Sequence, residues 1–294
     1  MSWGKRKFAC YFNSMKNFLV PTDFSDCAGY ALEVAVGLAE RFNGHVHLMH
    51  VLDMPEGWQL AEGEGQENWA MQVEWENRAF QQLQHLRDQY PDTSMTTSCT
   101  IGSLLDRIQA HADEHGMDLI VMGSHGSSGK SDFFIGSNTQ KVARSLHRPL
   151  LVIKEPLEEV RFDKVIFASN FDEREKEPFL RFKEIVKHFL PEIHLVAIHT
   201  SSLFDPPYIL SQEAMADFKR LCHPFNCYTH IYKDFSVDRG VRNLAQELGA
   251  NLIGISNHYR RPVKRMLAGS NVEALVNHAE IPVLAIDYSE KPST

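Results

Sequence analysis

The sequence predicts an α/β protein built as two tandem doubly wound domains, each a five-stranded, mainly parallel sheet with helices on both faces. Three observations predict it. The chain repeats itself: Asn17-Phe-Leu-Val-Pro-Thr-Asp23-Phe-Ser25 is matched by Lys164-Val-Ile-Phe-Ala-Ser-Asn170-Phe-Asp172 at a shift of 147 (23 to 170). Short apolar runs bounded by turn residues alternate with helical patterns, as βαβ units require. A length of 294 residues suits about two domains of ~150 residues each.

In the first half the strands read as 17–21, 46–52, 95–100, 118–123 and 150–154. The near-continuous apolar character of 17–21, 118–123 and 150–154 is what a parallel sheet covered on both faces demands. Ser25 is placed to cap a helix over Asp26 to Phe42, where Ala31, Val34, Ala35 and Leu38 recur at three- and four-residue spacing and Gly44 ends the run. Trp69 to Tyr90 reads as a second helix, Leu104 to Glu114 as a third before Gly116, and Ser137 to Leu146 as a fourth.

The second half keeps the shift of 147 through Val46-His-Leu-Met-His-Val51 and Ile193-His-Leu-Val-Ala-Ile198. Later, Asp118-Leu-Ile-Val-Met122 matches Asn251-Leu-Ile-Gly-Ile255, and Pro149-Leu-Leu-Val-Ile153 matches Pro282-Val-Leu-Ala-Ile286, at a shift of 133 (136 to 269). The second copy is therefore shorter between its second and fourth strands, where the first carries the polar loop Asp53 to Gln66; such differences are tolerated in loops. The boundaries expected are an N-terminal extension over 1–14, a first domain over 15–155 and a second over 158–290, joined near Glu155 to Arg161.

A net charge of −8 offers no basic footprint for nucleic acid. No apolar run approaches the ~18 residues of a membrane span, and Phe8 to Phe12 is too short for a secretory core, so neither membrane nor export is expected. Cys10, Cys27, Cys99, Cys222 and Cys227 are odd in number with no paired spacing, which suits a reducing compartment and a cytoplasmic location.

The fourth strand runs straight into Gly123-Ser-His-Gly126-Ser-Ser-Gly129-Lys-Ser-Asp-Phe-Phe-Ile-Gly136-Ser137-Asn-Thr139, which opens a helix. Glycines let backbone N–H groups approach phosphate oxygens, and the following helix aims its positive end at the anion. Gly129-Lys130-Ser131 imitates the end of a P-loop, but Ser124 stands where that motif needs glycine and Gly136 interrupts the helix the lysine should enter. A glycine-rich surface turn without a ligand is the bland alternative.

The spacing Gly123-x2-Gly126-x9-Gly136-Ser137, its strand-loop-helix setting and Val20-Pro-Thr-Asp23 at the end of the first strand resemble the ATP-binding signature of universal stress proteins. The resemblance covers roughly residues 15 to 290 and implies an adenine-nucleotide alpha-hydrolase-like fold in each half. It implies ATP, with or without Mg²⁺, as ligand. Asp23 would hydrogen-bond the nucleoside, Pro21 and Thr22 would line the adenine pocket, and Val51 would meet adenine through its backbone. Met122, Gly123, Gly126, Gly136, Ser137, Asn138 and Thr139 would surround ribose and phosphates. Asp23 also has a reading as a turn or capping residue.

The second half departs from this pattern: Ser256 replaces Gly123, Tyr259 replaces Gly126 and Asn170 replaces Asp23, so only the first half is expected to bind ATP. Arg260, Arg261, Lys264 and Arg265 make the degenerate loop basic, most simply as a solvated face. No catalytic or metal-ligating residue is assigned. His125 has no carboxylate or nucleophile fixed beside it. His45 and His47 share one strand face without further ligands at metal spacing, and Cys222-x4-Cys227 with His223 and His230 is a weak pattern.

The resemblance therefore implies a stress-response regulator or chaperone-like module that holds ATP, with unspecified protein partners. The alternatives are an enzyme catalysing slow ATP hydrolysis or nucleotidyl transfer on the same fold, and a nucleotide-free interaction scaffold. The short apolar strands near 150–153 and 283–286 are expected to pair, making a pseudo-dimer from one polypeptide and leaving a further homodimer open.

Overall fold

The computed structural model describes residues 15–53, 65–124, 136–146, 148–200, 207–257 and 271–287. The extension 1–14, most of the polar loop after Asp53, His125 and Gly126, and the second-half loop with Tyr259, Arg260, Arg261, Lys264 and Arg265 lie outside the described residues. So does the side chain of Ser137.

The first half runs β1 (Asn17–Pro21), α1 (Asp26–Phe42), β2 (His45–Leu52), α2 (Gly65–Asp88), β3 (Met95–Ile101), α3 (Leu104–Glu114), β4 (Leu119–Gly123), α4 (Ser137–Ser145) and β5 (Leu150–Ile153). The second runs β6 (Lys164–Ala168), α5 (Lys176–Val186), β7 (Glu192–His199), α6 (Tyr208–Leu221), β8 (Cys227–Lys233), α7 (Val237–Leu248), β9 (Leu252–Asn257), α8 (Asn271–His278) and β10 (Val283–Asp287). The expected pair of five-stranded parallel sheets is present, fused into one ten-stranded sheet of order β3-β2-β1-β4-β5-β10-β9-β6-β7-β8.

The fusion is antiparallel, through β5 and β10. Leu151 faces Leu284, the residue that occupies its own place in the repeat, with Val152 on Val283 and Leu150 on Ala285 to either side. A pseudo-two-fold axis thus passes between the two leucines, and neither strand keeps an open edge toward the other half.

Strand residues alternate between two cores. Phe18, Leu119, Val121 and Leu151 enter the one beneath α1, α2, α5 and α6. Leu19, Ile120, Met122 and Val152 enter the one beneath α3, α4, α7 and α8. Both cores cross from one half to the other. The connection between halves is packed as well: Val160 seats over Gly37 of α1, where an added β-carbon would lie 2.8 Å from its Cγ2. Arg41 stacks 4.5 Å from the centre of the Phe189 ring and donates to the His188 carbonyl at 3.1 Å. On the opposite face α4 meets α8, where Gln140 Nε2 donates to Glu273 Oε2 at 3.3 Å and Arg144 pairs with the same oxygen at 2.5 Å.

Helix α1 starts as expected, with Ser25 Oγ accepting from Ala28 N–H at 3.3 Å. Its end differs. Asn43 takes the left-handed conformation at φ 50°, and Gly44 donates to the Ala39 carbonyl at 2.8 Å. Gly44 is required for another reason: a β-carbon there would sit 2.7 Å from the Lys16 carbonyl oxygen, so only glycine lets the start of β2 approach β1.

Candidate functional site

The carboxyl ends of β1 and β4 build the first-half site. Beyond Pro21 the chain turns through Thr22, Asp23 and Phe24, with Phe24 in the left-handed region at φ 64°. Thr22 N–H donates to the Met49 carbonyl at 2.8 Å, and His50 Nδ1 donates to the Thr22 carbonyl at 2.7 Å, so β2 holds the turn from the side. Thr22 Oγ1 accepts from Phe24 N–H at 3.0 Å. Asp23 Oδ1 accepts from Ser25 N–H at 3.1 Å and from Ser25 Oγ at 2.6 Å.

The second half repeats this turn with other side chains. Ser169 Oγ accepts from Phe171 N–H at 2.9 Å, Asn170 Oδ1 accepts from Asp172 N–H at 3.3 Å, and Phe171 is again left-handed at φ 59°. An amide therefore satisfies the turn as well as a carboxylate does, and the turn alone does not require the negative charge of Asp23.

At β4, Gly123 is pressed against the first turn of α1. A β-carbon on it would lie 2.7 Å from the Cys27 carbonyl carbon and oxygen and 2.9 Å from Ala28 N. This glycine is thus dictated by the approach of helix to strand, a role the loop motif does not reveal. Ser124, fully buried, accepts through its carbonyl from Gly136 N–H at 2.8 Å, so the end of β4 and the start of α4 are held together at one hydrogen-bonded point. Gly136 has no side chain to cap α4, and Thr139, 3% exposed, donates its hydroxyl to the Gly123 carbonyl at 2.8 Å. Asn138 is exposed.

The predicted site residues fall into two groups. Pro21, Thr22 and Asp23 on one side, and Gly123, Gly136 and Thr139 on the other, are joined through the contact of Gly123 with α1. Val51 and Met122 both pack on the second core, on the face covered by α3 and α4. On the other face Thr22, Phe24, Ser25 and Gly29 line a cavity of about 410 Å³ with Arg78, Gln81 and His85 of α2. Sequence reasoning missed this cavity and the role of His50, since both depend on pairings distant in the chain.

Among the other candidates, a hydrogen bond to Cys227, followed by burial, pushes the Cys222 thiol well above its usual range and keeps it neutral. His230 is engaged by His194 at 2.9 Å. His45 and His47 are joined by His111 and His115 of α3.

A family model described as the Universal stress protein family matches residues 15–154 and 208–287. The chain is 28% identical over 148 residues to Universal stress protein MJ0531 of Methanocaldococcus jannaschii, an alignment covering 50% of this chain and 86% of that protein. It is also 28% identical over 154 residues to Universal stress protein MJ0577 of the same organism, covering 47% and 94%. Among solved structures, a universal stress protein from Archaeoglobus fulgidus superposes with a TM-score of 0.70 at 16% identity, covering 94% of this chain and all of that one. The protein PA1789 from Pseudomonas aeruginosa, described as functionally unknown, gives 0.66 at 19% identity, covering 94% and 93%. At such identities the solved structures speak to the fold, and they match it across both halves.

Proposed function

Since the chain belongs to the universal stress protein family, we propose that its first half, as a domain over 15–155, binds ATP and that the protein acts as a stress-response regulator or chaperone-like module. The observation that carries this reading is how β4 and α4 meet: Gly136 N–H donates to the Ser124 carbonyl just beyond the carboxyl end of β4, and Gly123 presses on the first turn of α1, which follows the turn that holds Asp23. In doubly wound sheets this is where ligands bind. The start of α4, which Gly136 cannot cap with a side chain, offers backbone donors and a positive end to phosphates.

When bound, ATP, with or without Mg²⁺, supplies a charged group whose presence partners can read. Asp23 is assigned to a hydrogen bond with the nucleoside, Pro21 and Thr22 to the adenine pocket, Val51 to adenine through its backbone, and Met122, Gly123, Gly126, Gly136, Ser137, Asn138 and Thr139 to ribose and phosphates. In the domain over 158–290, Ser256, Asn170 and Tyr259 replace the glycines and the carboxylate, and Val272 stands where Thr139 does. One nucleotide per chain follows. A cytoplasmic location fits the cysteine pattern of the sequence, five scattered residues with no paired spacing. No helix among the described residues is long and apolar enough to cross a membrane.

The test pairs two measurements. Mass spectrometry of nucleotide released from denatured, freshly purified protein is expected to find ATP at one per chain. Calorimetry with Asp23→Asn, whose amide the second half shows to be compatible with the turn, is expected to show affinity reduced ~10–100-fold, from the ~1.5–3 kcal/mol of a charge-assisted hydrogen bond. Gly126→Val should also weaken binding. Wild-type affinity in both variants refutes the site, and two nucleotides per chain refutes the asymmetry.

A further inference from the structure

We propose that His45, His47, His111 and His115 form a binding site for a divalent transition-metal ion that prefers imidazole, Zn²⁺ foremost. The cluster lies at the amino end of β2 and the carboxyl end of α3, at the opposite end of the strands from Gly123, and its case is independent of nucleotide binding.

Two geometric rules bring the rings together. His45 and His47 are two apart on a strand and share its face, while His111 and His115 are four apart around the end of a helix and share its side. His47 is the centre, with ring centroids 4.7 Å from His45, 5.3 Å from His111 and 5.8 Å from His115. His111 Nε2 and His47 Nδ1 are 3.3 Å apart. Two nitrogens each ~2.0–2.1 Å from a tetrahedral ion are themselves separated by about 3.3–3.4 Å. These two ligands therefore already stand at coordination distance.

The remaining two complete the set by side-chain rotation. His45 Nε2 lies 3.0 Å from Thr96 Oγ1, which is in turn 3.4 Å from His47 Nδ1, so His45 reaches the ion by exchanging a hydroxyl for it. His115 is exposed and turns its Nδ1 to the His111 carbonyl at 3.3 Å. Among the described residues no three ligand groups stand where they could hold a metal ion, so the proposed site forms only when His45 and His115 rotate toward His47 and His111.

The fold itself does not call for this chemistry: the places of His45, His47, His111 and His115 are taken in the second half by Glu192, His194, Leu244 and Leu248. Leucine meets the packing needs of that face of α7, so His111 and His115 are surplus to them.

The test uses the full chain, stripped by chelator and free of nucleotide, titrated with Zn²⁺ by calorimetry and with Co²⁺ by visible absorption. One Zn²⁺ per chain and tetrahedral Co²⁺ bands are expected. The double variant His47→Gln with His111→Gln should weaken Zn²⁺ by about 10-fold or more and abolish the bands, while His194→Gln with His230→Gln should retain both. Histidine-ring NMR of the wild type, which needs no variant, should show the His47 and His111 signals moving on addition of Zn²⁺. Absence of one-to-one binding, undisturbed His47 and His111 signals, or a loss confined to the His194 and His230 variant would overturn the proposal.

Discussion

Replacing Leu284 by alanine tests whether the two halves are one folding unit. Leu284 is 1% exposed and faces Leu151, 2% exposed, across the junction of β5 and β10. Removing a buried leucine side chain costs about 2–5 kcal/mol through lost transfer energy and the cavity left behind. That is a large share of a total stability of about 5–15 kcal/mol. At ~2–4 °C per kcal/mol for a large domain, the midpoint should fall by roughly 4–20 °C. All four tryptophans, Trp3, Trp58, Trp69 and Trp75, belong to the first half, so their fluorescence reports a half that does not contain the substitution. Far-UV circular dichroism reports both. One unit requires the fluorescence and dichroism transitions to move down together. A fluorescence midpoint left at the wild-type value, beside a separate earlier step in dichroism, would refute the reasoning.

Thr139→Val removes the buried hydroxyl bond to Gly123 but keeps the shape, and should lower stability by about 1–2 kcal/mol in urea denaturation; an unchanged midpoint would show that the bond closes nothing. Gly29→Ala and Gly44→Ala should move in opposite directions under the same assay. An added β-carbon at Gly29 meets nothing within 4 Å, and alanine stabilises a helix interior by about 0.5–1 kcal/mol, whereas at Gly44 it overlaps the Lys16 carbonyl and should cost about 1–3 kcal/mol. His194 is 6% exposed with Nδ1 2.9 Å from His230, and burial, then His230, lowers its pKa. Its unfolded form therefore takes up a proton that the folded form resists, so stability should fall as pH drops below about 6.5. His194→Gln should flatten that slope, and an unaltered slope would exclude His194 as its source.

The strands were legible because the repeat shows itself in residues that β-sheets need: the β1 and β6 runs and the β5 and β10 runs align at fixed shifts. The pairing of the two halves was expected from short apolar edge strands, whereas its antiparallel direction and its register, Leu151 facing Leu284, are seen only in the structure. Local chemistry was read less well. Gly44 looked like a helix cap, whereas Asn43 does that work and Gly44 clears Lys16; at Gly123 the loop motif gave no sign that α1 also presses on it. In each case the deciding neighbour lies far away in sequence, where a glycine's reason for being glycine cannot be seen. The contact between His47 and His111 was hidden for the same reason: the two are separated by 64 positions, and only the packing of α3 on the sheet brings them within 3.3 Å.

Gln140 and Glu273 occupy the same place in the repeat, and they touch. A position on a two-fold axis meets its own copy in a homodimer. With glutamate there, two carboxylates would be forced together where Glu273 is 5% exposed, an arrangement that like charges resist strongly. Covalent fusion frees the two copies to differ, and here they do: an amide on one side donates to a carboxylate on the other, with Arg144 supplying the compensating charge. What would be a self-complementary surface in two separate chains has become a keyed one. Expressed apart, two second halves should repel one another at Glu273, while a first half and a second half should find each other in trans.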